Sequence, residues 1–161
     1  MHLSDVLQLG DPRLYEICEA VKKEETVSLK PIIDGLANVV LEFREKYKAG
    51  RAIAAPQVGV MKRLVVMNID QPIAMFNPVL INKSDEMMEL WDDCMSFPNL
   101  LVKVKRHRYC TLKFRDMNWE EQTWELKDDL SELLQHEVDH LDGILATQRA
   151  IDDRSFKFVH S

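Results

Sequence analysis

The run His136-Glu137-Val138-Asp139-His140 holds the residues with the clearest capacity for chemistry. On a helix, side chains four residues apart share one face, so His136 and His140 can present two imidazoles to one divalent metal ion. Glu137 then lies next to the remaining coordination position, where a water would sit. A chain of this composition contains such a pattern by chance about one time in a hundred. The metal reading is therefore preferred over coincidence.

Two histidines leave a catalytic metal short of its usual three protein ligands. Gly143 makes the run resemble the start of HExxHxxGxxH, but Ala146 stands where the third histidine would be. No glutamate follows Glu137, so a downstream glutamate ligand is excluded. Asp142, Asp152, Asp153 and His160 are weak downstream options. Cys94, in Trp91-Asp92-Asp93-Cys94-Met95-Ser96-Phe97-Pro98, is a better one. A thiolate with two imidazoles suits Zn²⁺ or Fe²⁺, and coordination itself deprotonates the thiol. Taken alone, Cys94 reads equally as a small buried hydrophobe, the reading adopted for Cys18 and Cys110.

A helix from about Asp128 into the 140s must carry the histidines. Asp128 or Asp129 can cap it, and Leu130, Leu133, Leu134, Val138 and Leu141 mark its buried side. A second helix is expected from about Ser28 to Ala49, with apolar residues from Leu29 to Tyr47 at three- and four-residue steps and Gly50 at its end. Between the helices the pattern turns β-like over Arg63 to Ile69, Met75 to Ile81 (broken early by Asn77-Pro78), Cys110 to Phe114 and Gln122 to Leu126, with a turn at Met117 to Glu120. Strands clustered between helices imply an α+β fold, mostly antiparallel, rather than a doubly wound one. With 161 residues, no repeat and no linker, one domain over 1–161 is expected.

Hydrophobic residues make up 46% and charged residues 30%, the balance of an ordinary globular protein. The net charge of -6 disfavours a nucleic-acid partner. Lys103, Lys105, Arg106, His107 and Arg108 form the one basic run of note, read here as the solvated face of a strand. The first ten residues lack a secretory pattern, and no stretch reaches the ~18 apolar residues of a membrane span. Three irregularly spaced cysteines argue for a reducing compartment, with the cytoplasm as the default.

A third block, Gly50-Arg51-Ala52-Ile53-Ala54-Ala55-Pro56-Gln57-Val58-Gly59, joins Cys94 and the histidine run in a recognisable order. Together the three resemble the GxGxAAPQ, EGCxS and HExDH motifs of the peptide deformylase family. Leu7-Gln8-Leu9-Gly10-Asp11-Pro12-Arg13-Leu14 and Asn77-Pro78 add to the likeness, which extends to about Gly143. The resemblance implies a single α+β domain whose antiparallel sheets pack around a central helix carrying HExDH. It makes Cys94, His136 and His140 the ligands of one divalent ion, Fe²⁺ in the physiological state, with Zn²⁺, Ni²⁺ or Co²⁺ able to replace it. It makes Glu137 the general acid/base, Gln57 and the Met95 backbone N–H the oxyanion donors, and Gly50, Arg51, Ala52 and Leu133 substrate contacts. The implied substrates are N-formylmethionyl nascent peptides, with the ribosome surface as a candidate partner and neither membrane nor nucleic-acid specificity. The competing readings are a small HExxH protease cutting internal peptide bonds and a non-catalytic, metal-binding relative.

The chain departs from the family pattern in three places. Ala52 replaces the second glycine of the first block, where its Cβ would crowd a substrate strand. Asp92-Asp93 replaces Glu-Gly, and Asp93 is expected to keep a left-handed backbone there. Asp129 and Glu132, seven and four residues before His136, stand where the resemblance implies apolar pocket residues. They are read either as solvated or as an acidic rim. From the ligand assignment, Cys94→Ala is expected to lose metal or activity while Cys18→Ala and Cys110→Ala keep both. Metal analysis of the three purified variants checks this, and full metal content with turnover in Cys94→Ala would remove Cys94 from the site.

Overall fold

The structure, a computed structural model, describes residues 1–159. Helix α1 (Thr26–Tyr47) matches the apolar periodicity closely. It ends in a left-handed turn at Lys48 (φ 61°) rather than at Gly50, and the Lys48 N–H donates to Arg44 O at 2.8 Å. Strands β1 (Ala52–Ala54), β2 (Leu64–Asn68) and β3 (Pro72–Ile81) follow. Next come β4 (Met87–Asp92), β5 (Leu100–His107), β6 (Tyr109–Arg115) and β7 (Glu121–Lys127). Helix α2 (Asp128–Leu141) and β8 (Phe156–Phe158) complete the chain. The tail after Gly143 therefore adds a third strand to a sheet.

All strand pairings are antiparallel, in a five-stranded sheet of order β1-β2-β3-β6-β7 and a three-stranded sheet of order β4-β5-β8. The α+β expectation holds. Strand β2 shows no apolar/polar alternation because both of its faces are covered. Leu64 and Val66 join the core under α1, while Val65 and Met67 join the core under α2. Asn77 (φ 51°) marks a register shift in β3 between Phe76 and Val79. Its side chain accepts from the Val21 N–H at 2.8 Å and donates to Val21 O at 2.9 Å, fixing the N-terminal segment to the sheet.

Helix α2 lies between the two sheets and touches strands of both. Neither Asp128 nor Asp129 caps it as expected. Asp128 takes φ 53°, and its carboxylate accepts from Arg108 Nη1 at 2.8 Å, so it serves the junction with the β5–β6 hairpin. Leu133, Leu134 and Leu141 are buried as the periodicity implies, whereas Leu130 and Val138 are only half-buried. The helix buries more than an apolar stripe: Ser131, Glu132, Gln135, His136, Glu137 and His140 are buried too. Ser131 and Gln135 are satisfied at the end of β5, where both donate to His107 O (2.7 and 2.8 Å) and Gln135 accepts from His107 N at 2.9 Å. A buried polar helix face is tolerable only when so paired.

Gly143, a possible start of a longer histidine motif in the sequence, has a packing role. It takes φ +72°, and a Cβ there would lie 2.4 Å from Tyr15 O. The end of α2 thus presses directly on the N-terminal segment, where the Cys18 N–H donates to Leu141 O at 2.9 Å. Gly143→Ala is expected to destabilise by about 1–3 kcal/mol through backbone conformation alone, with displacement of Tyr15 adding to it. A urea unfolding midpoint equal to wild type would show that this approach is not a constraint.

Candidate active site

Three segments meet at the N-terminal half of α2. The turn after β1, Ala55–Val58, brings in Gln57, the loop after β4 brings in Cys94 and Met95, and α2 brings in the histidines. Ala52 and Ala54 belong to the core beneath α2, and their small side chains let the helix lie close to β1. The Ala52 methyl, expected to crowd a substrate, faces this core while also bordering the cleft. The Leu7–Leu14 segment ties the loops together. Leu7 N donates to Gln57 O (2.7 Å), Leu9 N to Ser96 O (2.8 Å) and the Gln8 amide to Met95 O (3.2 Å).

Cys94, His136 and His140 converge, each at most 5% exposed. The Cys94 sulfur lies 3.4 Å from His140 Nε2, which lies 3.2 Å from His136 Nε2. All three ligand atoms fall within 4.8 Å of one another. His136 Nδ1 sits 2.9 Å from Asp92 Oδ2, so Nδ1 carries the proton and the Nε2 lone pair faces the sulfur and the second imidazole. One thiolate and two imidazole lone pairs directed at a single point suit a divalent transition-metal ion. Glu137 strengthens the fit: it is 3% exposed and its Oε2 has no protein partner among the described residues. The other options fall away. Asp142 pairs with Arg63 at 3.0 Å, Asp152 accepts from Arg154 N and the Ser155 hydroxyl, and Asp153 is exposed. His160 lies outside the described residues. Cys18 and Cys110 are buried elsewhere, and burial pushes both thiols up, Cys18 to about 11, leaving them poorly reactive.

An ion-pair chain behind His136 had no clear signal in the sequence. Arg106, assigned above to a solvated strand face, is 2% exposed and bridges Asp92 (2.9 Å) and Asp139 (2.8 Å). Asp139 also binds Arg149 at 2.8 and 3.0 Å. The assignment fails because α2 covers the inner face of β5, and alternation puts Arg106 on that face with Val102 and Val104, while Lys103 and Lys105 lie on the other. Burial works to raise the Asp92 carboxyl, but His136 and Arg106 outweigh it and hold it well below the usual carboxylate range. Burial opposes charge on His136, yet Asp92 and Cys94 hold its pKa well above the ordinary value. His140 is pushed down by burial and by His136. A cation at the ligand cluster competes with this proton, which ties metal affinity to pH.

The Gln57 carbonyl oxygen accepts from the Ala54 N–H at 3.0 Å. Its amide nitrogen donates to Ser96 Oγ at 3.1 Å and lies 3.5 Å from the Cys94 sulfur. The Met95 N–H has no acceptor within the protein among the described residues. Both groups border a cleft lined also by Phe43, Gly50, Arg51, Ala52, Leu133 and Glu137. Phe43 carried no sequence signal beyond helix periodicity. Gly50 has a definite reason: a Cβ on it would meet Phe43 at 3.0 Å and Met95 at 3.2 Å. Asp93 is exposed and does not adopt the left-handed backbone expected of it. Glu132 turns into the cleft, 8% exposed, and accepts from Arg51 Nη2 at 3.0 Å, while Asp129 stays on the surface. Burial, reinforced by Asp92, raises the Glu132 carboxyl to about 7. Burial alone is the largest cause for Glu137, also raised to about 7.

The profile of the polypeptide deformylase family matches residues 3–155. The chain belongs to this family. A peptide deformylase of Dictyoglomus thermophilum is 34% identical over 94% of this chain and 95% of its own length. One from Brachyspira hyodysenteriae is 33% identical over 88% of this chain and 78% of its own. The crystal structure of the Thermotoga maritima peptide deformylase superposes with a TM-score of 0.81 at 30% identity, covering 91% of this chain and 97% of that one. The Synechococcus elongatus peptide deformylase, solved in complex with actinonin, gives 0.80 at 26% identity over 92% and 79%. Peptide deformylases are metal-dependent hydrolases, so membership favours neither the internal-bond protease nor the non-catalytic relative.

The position of Asp92 generates a test. Asp92→Asn keeps the side-chain shape but weakens the hold on the His136 tautomer and on Arg106. Metal affinity is expected to fall about 10–100-fold, read by competition with a chromophoric chelator. Wild-type affinity in this variant would show that the carboxylate does not orient His136.

Proposed function

We propose that this protein removes the N-formyl group from the N-terminal methionine of newly made polypeptides, releasing formate, with Cys94, His136 and His140 holding one divalent ion. The observation that carries this reading is the convergence of those three ligands beside a buried carboxylate oxygen with no protein partner. The ion supplies Lewis acidity and a water that is nucleophilic near neutral pH. We take it to be Fe²⁺ in the cell, as the family resemblance implies, although a thiolate with two imidazoles also accommodates Zn²⁺, Ni²⁺ or Co²⁺. Nascent chains at the ribosome surface and a cytoplasmic setting go with this substrate, and among the described residues no helix is long and apolar enough to cross a membrane.

The chain's own groups divide the remaining work. Among the described residues strand β1 pairs only with β2, so its other edge, with Gly50, Arg51 and Ala52, can take the substrate backbone as an added strand. Leu133 and Phe43 give the cleft its apolar wall. Attack on the formyl carbon places negative charge on the formyl oxygen, for which Met95 N–H is an available donor. The Gln57 amide can exchange its long contact with sulfur for the same oxygen. Glu137 takes a proton through Oε2 and returns it to the departing amine, and burial, which raises its pKa, helps it hold the proton between the two transfers.

Formate release from formyl-Met-Ala-Ser by protein loaded anaerobically with Fe²⁺ tests the reading directly. Glu137→Gln is expected to keep its metal while turnover falls about 10²–10⁴-fold. Gln57→Leu is expected to slow turnover about 10²–10³-fold. Near-wild-type rates in both variants would defeat the mechanism.

A further inference from the structure

Arg51 reaches two carboxylates of very different setting. Its Nη2 is 3.0 Å from Glu132 Oε2, whose side chain is 10% exposed, and its Nη1 is 3.8 Å from Asp129 Oδ2, whose side chain is 83% exposed. The inner contact spans the cleft from the segment before β1 to α2. The pair lines the cleft beside Cys94 and His136, where the first side chain of a substrate would enter. Besides Arg51, the cleft lining brings positive charge only through His136, which is committed to Asp92. Arg51 is therefore the one cation of the cleft lining free to face Glu132, whose charge Asp92 opposes.

We propose that Arg51 and Glu132 form an ionic latch that selects the side chain of the substrate's first residue. The latch opens when Arg51 passes from Glu132 to Asp129, so that its charge stays paired while the cleft widens. A side chain ending in a positive charge then takes the guanidinium's place against Glu132. An apolar side chain leaves Glu132 with no cation, so the buried carboxyl must either take up a proton or stay charged and unpaired, and both are less favourable than the closed latch. Formyl-methionine thus enters at a penalty in binding, and formylated residues with a cationic tip of similar length are preferred. This inference rests on the deformylase reading and adds a substrate preference to it.

The test compares formyl-norleucyl-Ala-Ser with formyl-ornithyl-Ala-Ser, whose first side chains have the same number of heavy atoms and differ at the tip (methyl against ammonium). Rates of formate release at pH 8, above the raised pKa of Glu132, give the kcat/KM ratio of the two peptides. Wild-type protein is expected to favour ornithine about 10-fold or more, Glu132→Gln to lose most of that preference, and Glu132→Leu to favour norleucine. Circular dichroism and metal content establish that each variant is folded. If Glu132→Leu fails to fold, the wild-type ratio and the isosteric Glu132→Gln still decide. Formate release with norleucine preferred by wild type, or with one ratio in all three proteins, overturns the latch alone. No formate from either peptide or from formyl-Met-Ala-Ser overturns the deformylase reading and the latch with it.

Discussion

Ionisable side chains on a buried helix are stable only if each meets a partner of matching charge or hydrogen-bonding type. Helix α2 places two histidines, Glu132 and Glu137 out of water, with Asp139 half-buried beside them. Arg106 answers this demand from the neighbouring sheet, joining Asp92 and Asp139 and so neutralising what stands behind His136. Remove that cation and two carboxylates face each other across the helix in a low-dielectric interior. Asp92, held by Arg106 at 2.9 Å, in turn meets His136 Nδ1 at 2.9 Å and so turns the ring toward Cys94.

Around that constraint the rest of the molecule is scaffolding of an economical kind. The N-terminal segment uses main-chain hydrogen bonds to hold the Gln57 turn and the Cys94 loop at fixed separation. Small residues, Ala52 and Ala54, let the helix lie close to β1, and Gly143 lets its end press on Tyr15. The apolar cores on the two sides of the large sheet then fix its position relative to α1 and α2.

Much of this was legible from residue types and spacing. The periodicity from Leu29 to Tyr47 places α1 to within a few residues, and the histidine run with Cys94 and Gln57 names the groups that the fold brings together. What could not be read was pairing in space. Arg106 shares the Val102–Val104 face of β5, but the carboxylates that let a cation be buried there, Asp92 and Asp139, come from β4 and α2. Glu132 looked equally able to face solvent or cleft, and only the position of Arg51, 81 residues earlier in the chain, decides between them. Asp128 had the residue type of a helix cap, yet its carboxylate is taken by Arg108. Each of these outcomes depends on a long-range partner, and local propensity carries no information about such partners.

The tie between the first fifteen residues and the loops that carry Gln57 and Cys94 bears on when the site can exist. Leu7 and Leu9 bond to residues near positions 57 and 96, Cys18 bonds to Leu141, and β8 closes the second sheet from beyond position 155. Contacts of such wide sequence separation form late, because loop-closure entropy must be overcome before they contribute. During synthesis the beginning of the chain must wait, exposed, until α2 has left the ribosome. Cys94, His136 and His140 converge only when these distant segments are joined, so a cation held by them would favour the folded chain over its unravelled forms.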